Sequence, residues 1–122
     1  TMIRALGRLL LSSMFIVGGF GAFSQPGGRV NKVEAAGIPN PRQSTILNGA
    51  IMMIGGLALA TGVAPKLAAA VLAASLVPTT FVGHPYWQEE DPGVRANQRI
   101  HFLKNLAMIG GLLFVLVDNG EK

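Results

Sequence analysis

Four long apolar stretches alternate with short polar ones along the chain. They cover residues 3–23, 45–62, 65–83 and 99–118. About 20 consecutive apolar residues are enough to cross a hydrocarbon core ~30 Å thick, so each stretch predicts a transmembrane helix. Between the first two, Val30, Val33 and Gly37 recur at helical spacing with Arg29, Lys32 and Glu34 among them. That amphipathic pattern predicts a short helix over residues 29–36 lying in the interface. Gly37 is its expected stop, and Pro39 and Pro41 prevent continuation. The pattern as a whole predicts an all-α membrane protein: a four-transmembrane-helix bundle with a short interfacial helix between helices one and two, as a single domain over residues 1–122.

Local signals refine the segment ends. Ser44 or Thr45 is a candidate cap for the second helix. The link Gly62-Val63-Ala64-Pro65-Lys66 is tight, so helices two and three must be antiparallel neighbours. Pro65 suits the first helical position. Pro78, inside the third segment, removes a backbone donor and frees the Ala74 carbonyl; Thr79 and Thr80 are expected to satisfy the freed groups. Asp91-Pro92 reads as N-cap and first residue of the fourth helix, which then starts outside the hydrocarbon. From Pro92 to Val117 it is about 39 Å long at 1.5 Å per residue. Tyr86 and Trp87 suit an aromatic belt at headgroup level. The tail after Asp118 is short and polar.

Composition agrees with this picture. Half of the 122 residues are hydrophobic and 13% are charged, against about 25% charged in an average soluble domain. Mean hydropathy is +0.46. The basic head at Arg4 and Arg8 before an apolar run would also suit a leader peptide; the segment is read as a retained span. Net charge is +4, but the basic residues flank apolar segments instead of forming a continuous face, so lipid is the expected partner and nucleic acid is not. With no cysteine, the chain alone has no disulfide, thiol redox or thiolate metal chemistry.

Small residues point to how the helices meet. Gly18-Gly19, Gly55-Gly56 and Gly110-Gly111 lie mid-segment in helices one, two and four, and helix three is alanine-rich. Membrane helices associate by close packing, which small residues permit, so these six glycines are expected at helix contacts. Asn48, the one strongly polar residue of the second span, is a candidate for a bond across helices.

The most informative polar feature is at the head of the fourth span. His101, Lys104 and Asn105 share one helix face by their spacing, and ionisable groups at membrane depth are costly, about 2.5–3.5 kcal/mol each near the centre. Arg8, His84, Trp87, His101, Lys104 and Asn105 are therefore the candidate ligand-binding residues. One reading is a pocket for a quinone or other lipid-soluble ligand, with Lys104 or His101 bonding a carbonyl and Trp87, Phe102 or Phe81 lining it. The structural alternative has His84 as a cap, Arg8 and Lys104 snorkelling to the headgroups, and the acids Glu89, Glu90 and Asp91 neutralising Arg95, Arg99 and Lys104. Two histidines beside carboxylates match no metal motif, and no metal site is assigned. No nucleophile with a base, P-loop or dinucleotide fingerprint is present, so the chain is not expected to be an enzyme on its own.

The residues also carry a resemblance. Gly7-Arg8, Gly37-Ile38-Pro39, Gly55-Gly56-Leu57, and His101-Phe102-Leu103-Lys104-Asn105-Leu106 with Gly110-Gly111 together resemble the DoxX family. Leu76-Val77-Pro78-Thr79-Thr80 with Gly83-His84 and Asp91-Pro92 is similar to its actinobacterial branch. Many members have a glutamate three residues before the helix-two Gly-Gly, where this chain has Met52. The resemblance implies a small four-helix membrane protein, in a family named after a subunit of a thiosulfate:quinone oxidoreductase and linked to oxidative and thiol stress. By position it makes Arg8, His84, Lys104 and Asn105 the family-like polar residues.

The expected role is an accessory or anchoring subunit of a membrane oxidoreductase complex, with no intrinsic cofactor, a bound quinone or lipid, and a redox partner subunit. The alternatives are a small-molecule transporter and an assembly factor packing on a larger complex. The expected location is the bacterial plasma membrane, with both termini cytoplasmic because Arg4 and Arg8 precede the first helix.

Overall fold

The structure, a computed structural model, describes residues 2–118. The described residues form five α-helices and one short 3₁₀ turn. Helix α1 spans Met2–Ser24, α2 Gly27–Ala35, α3 Pro41–Thr61, α4 Pro65–Gly83 and α5 Pro92–Val117, with the turn at Tyr86–Gln88. By length and composition α1, α3, α5 and the stretch Pro65–Gln88 that contains α4 are long and apolar enough to cross a membrane. Four crossings put the ends of the chain at one end of the bundle. The α1–α3 and α4–α5 connections lie at the other. These are called the terminal end and the loop end below.

Helix boundaries follow from capping chemistry. Gly37 (φ +78°) and Gly62 (φ +79°) occupy the left-handed region that glycine tolerates best. After α2, Ile38 N–H donates to Val33 O and Gly37 N–H to Glu34 O; after α3, Val63 N–H donates to Ala58 O and Gly62 N–H to Leu59 O. Both are Schellman closures. Asp91 caps α5, accepting from Val94 N–H at 2.9 Å. Helix α3 begins at Pro41, four residues before the expected start, with Asn40 as its N-cap. Proline is compatible with a first turn, whose N–H groups lack intrahelical partners. The expected caps Ser44 and Thr45 thus sit inside the helix, and their hydroxyls donate to the Pro39 and Pro41 carbonyls. Thr79 and Thr80 donate to the Ser75 and Leu76 carbonyls, not to that of Ala74.

The helices pack as a row. Helix α1 packs most extensively on α3, α3 on α4 and α4 on α5, whereas α1 and α5 barely meet. Buried positions on α1 are Ser12, Phe15, Gly19 and Ala22; on α3 they are Thr45, Gly49, Met52, Gly55, Gly56 and Leu59. Both stripes repeat at three- and four-residue intervals, and small residues let the backbones approach. A Cβ built on Gly19 would lie 2.7 Å from the Gly49 carbonyl oxygen, and one on Gly49 2.7 Å from the Gly19 carbonyl oxygen. Gly56 faces Ile16 and Phe15, Gly55 faces Leu72, and Gly111 faces Leu11. Gly18 and Gly110, also expected at contacts, have nothing within 4 Å of such a Cβ. Each is one residue, about 100° around the helix, from the glycine of its doublet that packs, Gly19 or Gly111; in Gly55-Gly56 both pack. Gly49 was not anticipated as the counterpart of Gly19.

Asn48 joins α3 to α4. Its amide donates to Thr79 Oγ1 at 2.9 Å and its carbonyl accepts from Ser75 Oγ. The Ser75 hydroxyl thus donates to the amide, whereas that of Thr79 accepts from it and donates to the Ser75 carbonyl. Asn48→Leu is expected to lower stability by about 1–2 kcal/mol, read as an earlier thermal transition in detergent; an unchanged transition would show that the network contributes nothing.

Candidate functional site

Two cavities open along the α1–α5 seam, where the row of helices is left unclosed. The loop-end cavity, about 710 Å³, is bordered by all five helices. Its polar wall comes from several elements: Arg29 and Lys32 from α2, Asn48 from α3, His84 from the end of α4, and Lys104 and Asn105 from α5. Met14, Met52, Leu76 and Met108 make its apolar floor. No Asp or Glu borders it. The groove is thus an apolar slot with a basic mouth.

Local structure places each polar group. His84 ends α4, its N–H donating to Thr80 O at 3.0 Å. Its Nδ1 lies 2.5 Å from Gln98 Oε1, and its ring stacks on His101 with centroids 5.1 Å apart at 18°. His101 Nδ1 lies 3.5 Å from Lys104 Nζ. This chain of contacts ties the exposed start of α5 to the end of α4 and aims Lys104 into the groove. Asn105 is almost fully buried at 5% exposure, and its amide makes no hydrogen bond among the described residues. The amide borders the cavity, where its N–H groups and carbonyl are free to bond water or a bound molecule.

The six candidate residues do not form one constellation. His84, Lys104 and Asn105 border the groove. His101 supports it from behind. Trp87 belongs to an aromatic cap in which Phe81, Trp87, Tyr86 and Phe102 pack edge-on or tilted at 5.3–6.0 Å. Those rings contact one another, Phe81 and Trp87 staying exposed, and do not border the groove, which corrects the expected aromatic lining. Arg8 is at the terminal end, beside the second cavity, and shares no site with the other five. Among the described residues, Glu89, Glu90 and Asp91 make no ion pair with Arg95, Arg99 or Lys104, so the expected neutralisation does not occur. No three of the described His, Asp and Glu side chains gather as a metal site would require.

Arg29, Lys32 and Gln98 were not foreseen at the site. The first two read as the solvated face of an interfacial helix; only the packing of α2 against α3 and α4 turns that face over the groove mouth. Gln98 stands four residues past the α5 first turn, at helical spacing from His101, and that spacing is the signal that would have found it.

The second cavity, about 980 Å³, is bordered by the start of α1, the start of α4 and the end of α5. Leu72 lies between the α4 stretches that border the two cavities, and Phe15 and Leu112 stand next to their bordering residues Met14 and Gly111; all three are fully buried and border neither cavity. They belong to one apolar cluster, and no residue borders both cavities.

No curated protein and no solved structure matches the chain. A protein-family model described as DoxX matches residues 3–85, which takes in α1 to α4 and stops before α5. The placement of Lys104 and Asn105 accordingly rests on geometry. With the match covering more than half of the chain, and with four helices fit to span a bilayer, this small integral membrane protein belongs to the DoxX family.

Proposed function

We propose that this single-domain protein is an accessory subunit of a membrane oxidoreductase complex and that its loop-end groove holds the head of an amphiphilic ligand, a quinone. The carrying observation is the open amide of Asn105 beside Lys104, in an apolar slot without acids. A quinone presents carbonyl oxygens on an apolar ring. Lys104 Nζ and the Asn105 amide N–H are donors for those oxygens, and the methionine floor is soft enough to accept a ring. Arg29 and Lys32 at the mouth favour the partly negative forms that a quinone passes through on reduction. The chain has no cysteine, so electrons would be supplied by a partner subunit and the groove would position their acceptor. The proposed setting is the bacterial plasma membrane with cytoplasmic termini. Binding is favoured over permeation because the two cavities share no bordering residue and the buried cluster around Phe15, Leu72 and Leu112 is apolar.

The test is titration of the purified protein in mild detergent with a short-chain quinone. Lys104→Leu removes a cation that has no acid partner among the described residues, so the bundle should still form. Quinone affinity should fall about tenfold or more in Lys104→Leu and in Asn105→Leu, as expected when a hydrogen bond involving a charged or buried group is lost. Unchanged affinity in both variants would remove the groove from the reading. Native mass spectrometry of the protein drawn from its own membrane should show a redox subunit in the same complex; a bare chain would remove the accessory role.

A further inference from the structure

We propose that the terminal-end cavity is a second, separate binding site, for the phosphate headgroup of an anionic phospholipid whose acyl chain lies in the α1–α5 seam. The cavity is bordered by three cations, Arg4, Arg8 and Lys66, and by one acid, Asp118. Arg4 Nε pairs with that acid at 3.3 Å, and among the described residues no other acid borders the cavity beside Arg8 and Lys66. Arg8 Nε is buried and has no hydrogen-bond partner among the described residues. A guanidinium that merely snorkelled would carry its donors out to the headgroup layer. Here the group instead lies against the α3–α4 turn: a Cβ on Gly62 would sit 3.3 Å from Arg8 Nη2, so the glycine that closes α3 also leaves room for the arginine.

The start of α4 adds to this. Pro65 is its first residue and Ala64 offers no side-chain cap. The first N–H groups of a helix lack intrahelical acceptors and carry the positive end of its dipole. Ala64, Pro65, Lys66 and Leu67 all border the cavity, so a guanidinium, an ammonium and an uncapped helix start share one wall. That combination recognises a compact anion. The remaining wall is apolar, and Leu67, Phe114 and Val117 are largely exposed along it. A free anion would leave this wall uncovered; a phospholipid covers it with its chain while its phosphate meets Arg8 and Lys66. The site is at the opposite end of the bundle from the quinone groove and does not depend on that reading.

The experiment is native mass spectrometry of the delipidated full chain with phosphatidylglycerol and with phosphatidylcholine of the same acyl chains. Phosphatidylglycerol adducts should persist about 25-fold more than phosphatidylcholine adducts, about fivefold for each of the two cations at the headgroup. Arg8→Gln and Lys66→Gln should each cut that preference about fivefold, whereas Lys104→Gln should keep it. Lys66 is exposed, so its variant tests the site whatever Arg8 contributes to folding. Equal retention of the two lipids by wild type, or a preference left at full size in either variant, overturns the proposal. Displacement of phosphatidylglycerol by millimolar inorganic phosphate overturns the lipid assignment in favour of a free anion.

Discussion

Replacing Gly19 or Gly49 by alanine will force α1 and α3 apart. A Cβ on Gly19 meets Gly49 O and Met53 N, each at 2.7 Å; a Cβ on Gly49 meets Gly19 O and Phe23 N, each at 2.7 Å. All four are backbone atoms of a helix, so no rotamer change relieves the contact. Overpacking costs about 1–3 kcal/mol, and the upper end is expected here because α1 has its main packing surface on α3. The adjacent Gly18→Ala and the distant Gly110→Ala face open space and should be neutral, or slightly stabilising through the higher helix propensity of alanine. Thermal unfolding of the four variants in one detergent checks this. Equal loss in Gly18→Ala and Gly19→Ala would mean that the crossing lies elsewhere.

Phe15→Ala should be the most damaging change in the apolar layer. Phe15 is fully buried against α3, where Gly56 makes room for it. In water a buried Phe→Ala costs about 3–5 kcal/mol. In a bilayer part of that falls away, because lipid is as apolar as the protein interior, while the lost contacts and the void remain, so about 3 kcal/mol is expected. Thermal unfolding beside wild type in one detergent checks this. A loss below about 1 kcal/mol would show that the neighbouring side chains collapse into the void.

What the sequence made legible divides by range. Span number, the Pro92 start of α5, the Gly37 stop and the Asp91 cap are set by residues within a turn of one another, and local pattern contains them. The Gly-Gly doublets announce close approach but not its phase: both residues of a doublet look alike along the chain, and only the partner helix selects Gly19 over Gly18. Gly49 stands alone, yet Thr45, Gly49, Met52, Gly56 and Leu59 repeat at three- and four-residue steps, a stripe readable once the period is followed instead of the doublet. Arg8 could have been separated from His84 by topology alone, since four crossings put the head of the first span and the foot of the third at opposite ends. The basic mouth of the groove was not legible. Arg29 and Lys32 lie on a nine-residue helix whose orientation depends on what it packs against, and no local rule specifies that.

The aromatic cap has a consequence for anyone watching this protein in solution. Trp87 and Tyr86 are the only tryptophan and tyrosine of the chain, and they touch each other in the same cluster, ring centroids 5.3 Å apart. Near-ultraviolet absorption and emission of the whole molecule are therefore dominated by one spot, where the ends of α4 and α5 are clasped together. Emission wavelength will track how wet that spot is and nothing deeper, whereas far-ultraviolet dichroism sums over every helix. A melting curve followed by light from Trp87 times the unclasping of one end, and its distance from the dichroism curve measures how independently that end lets go.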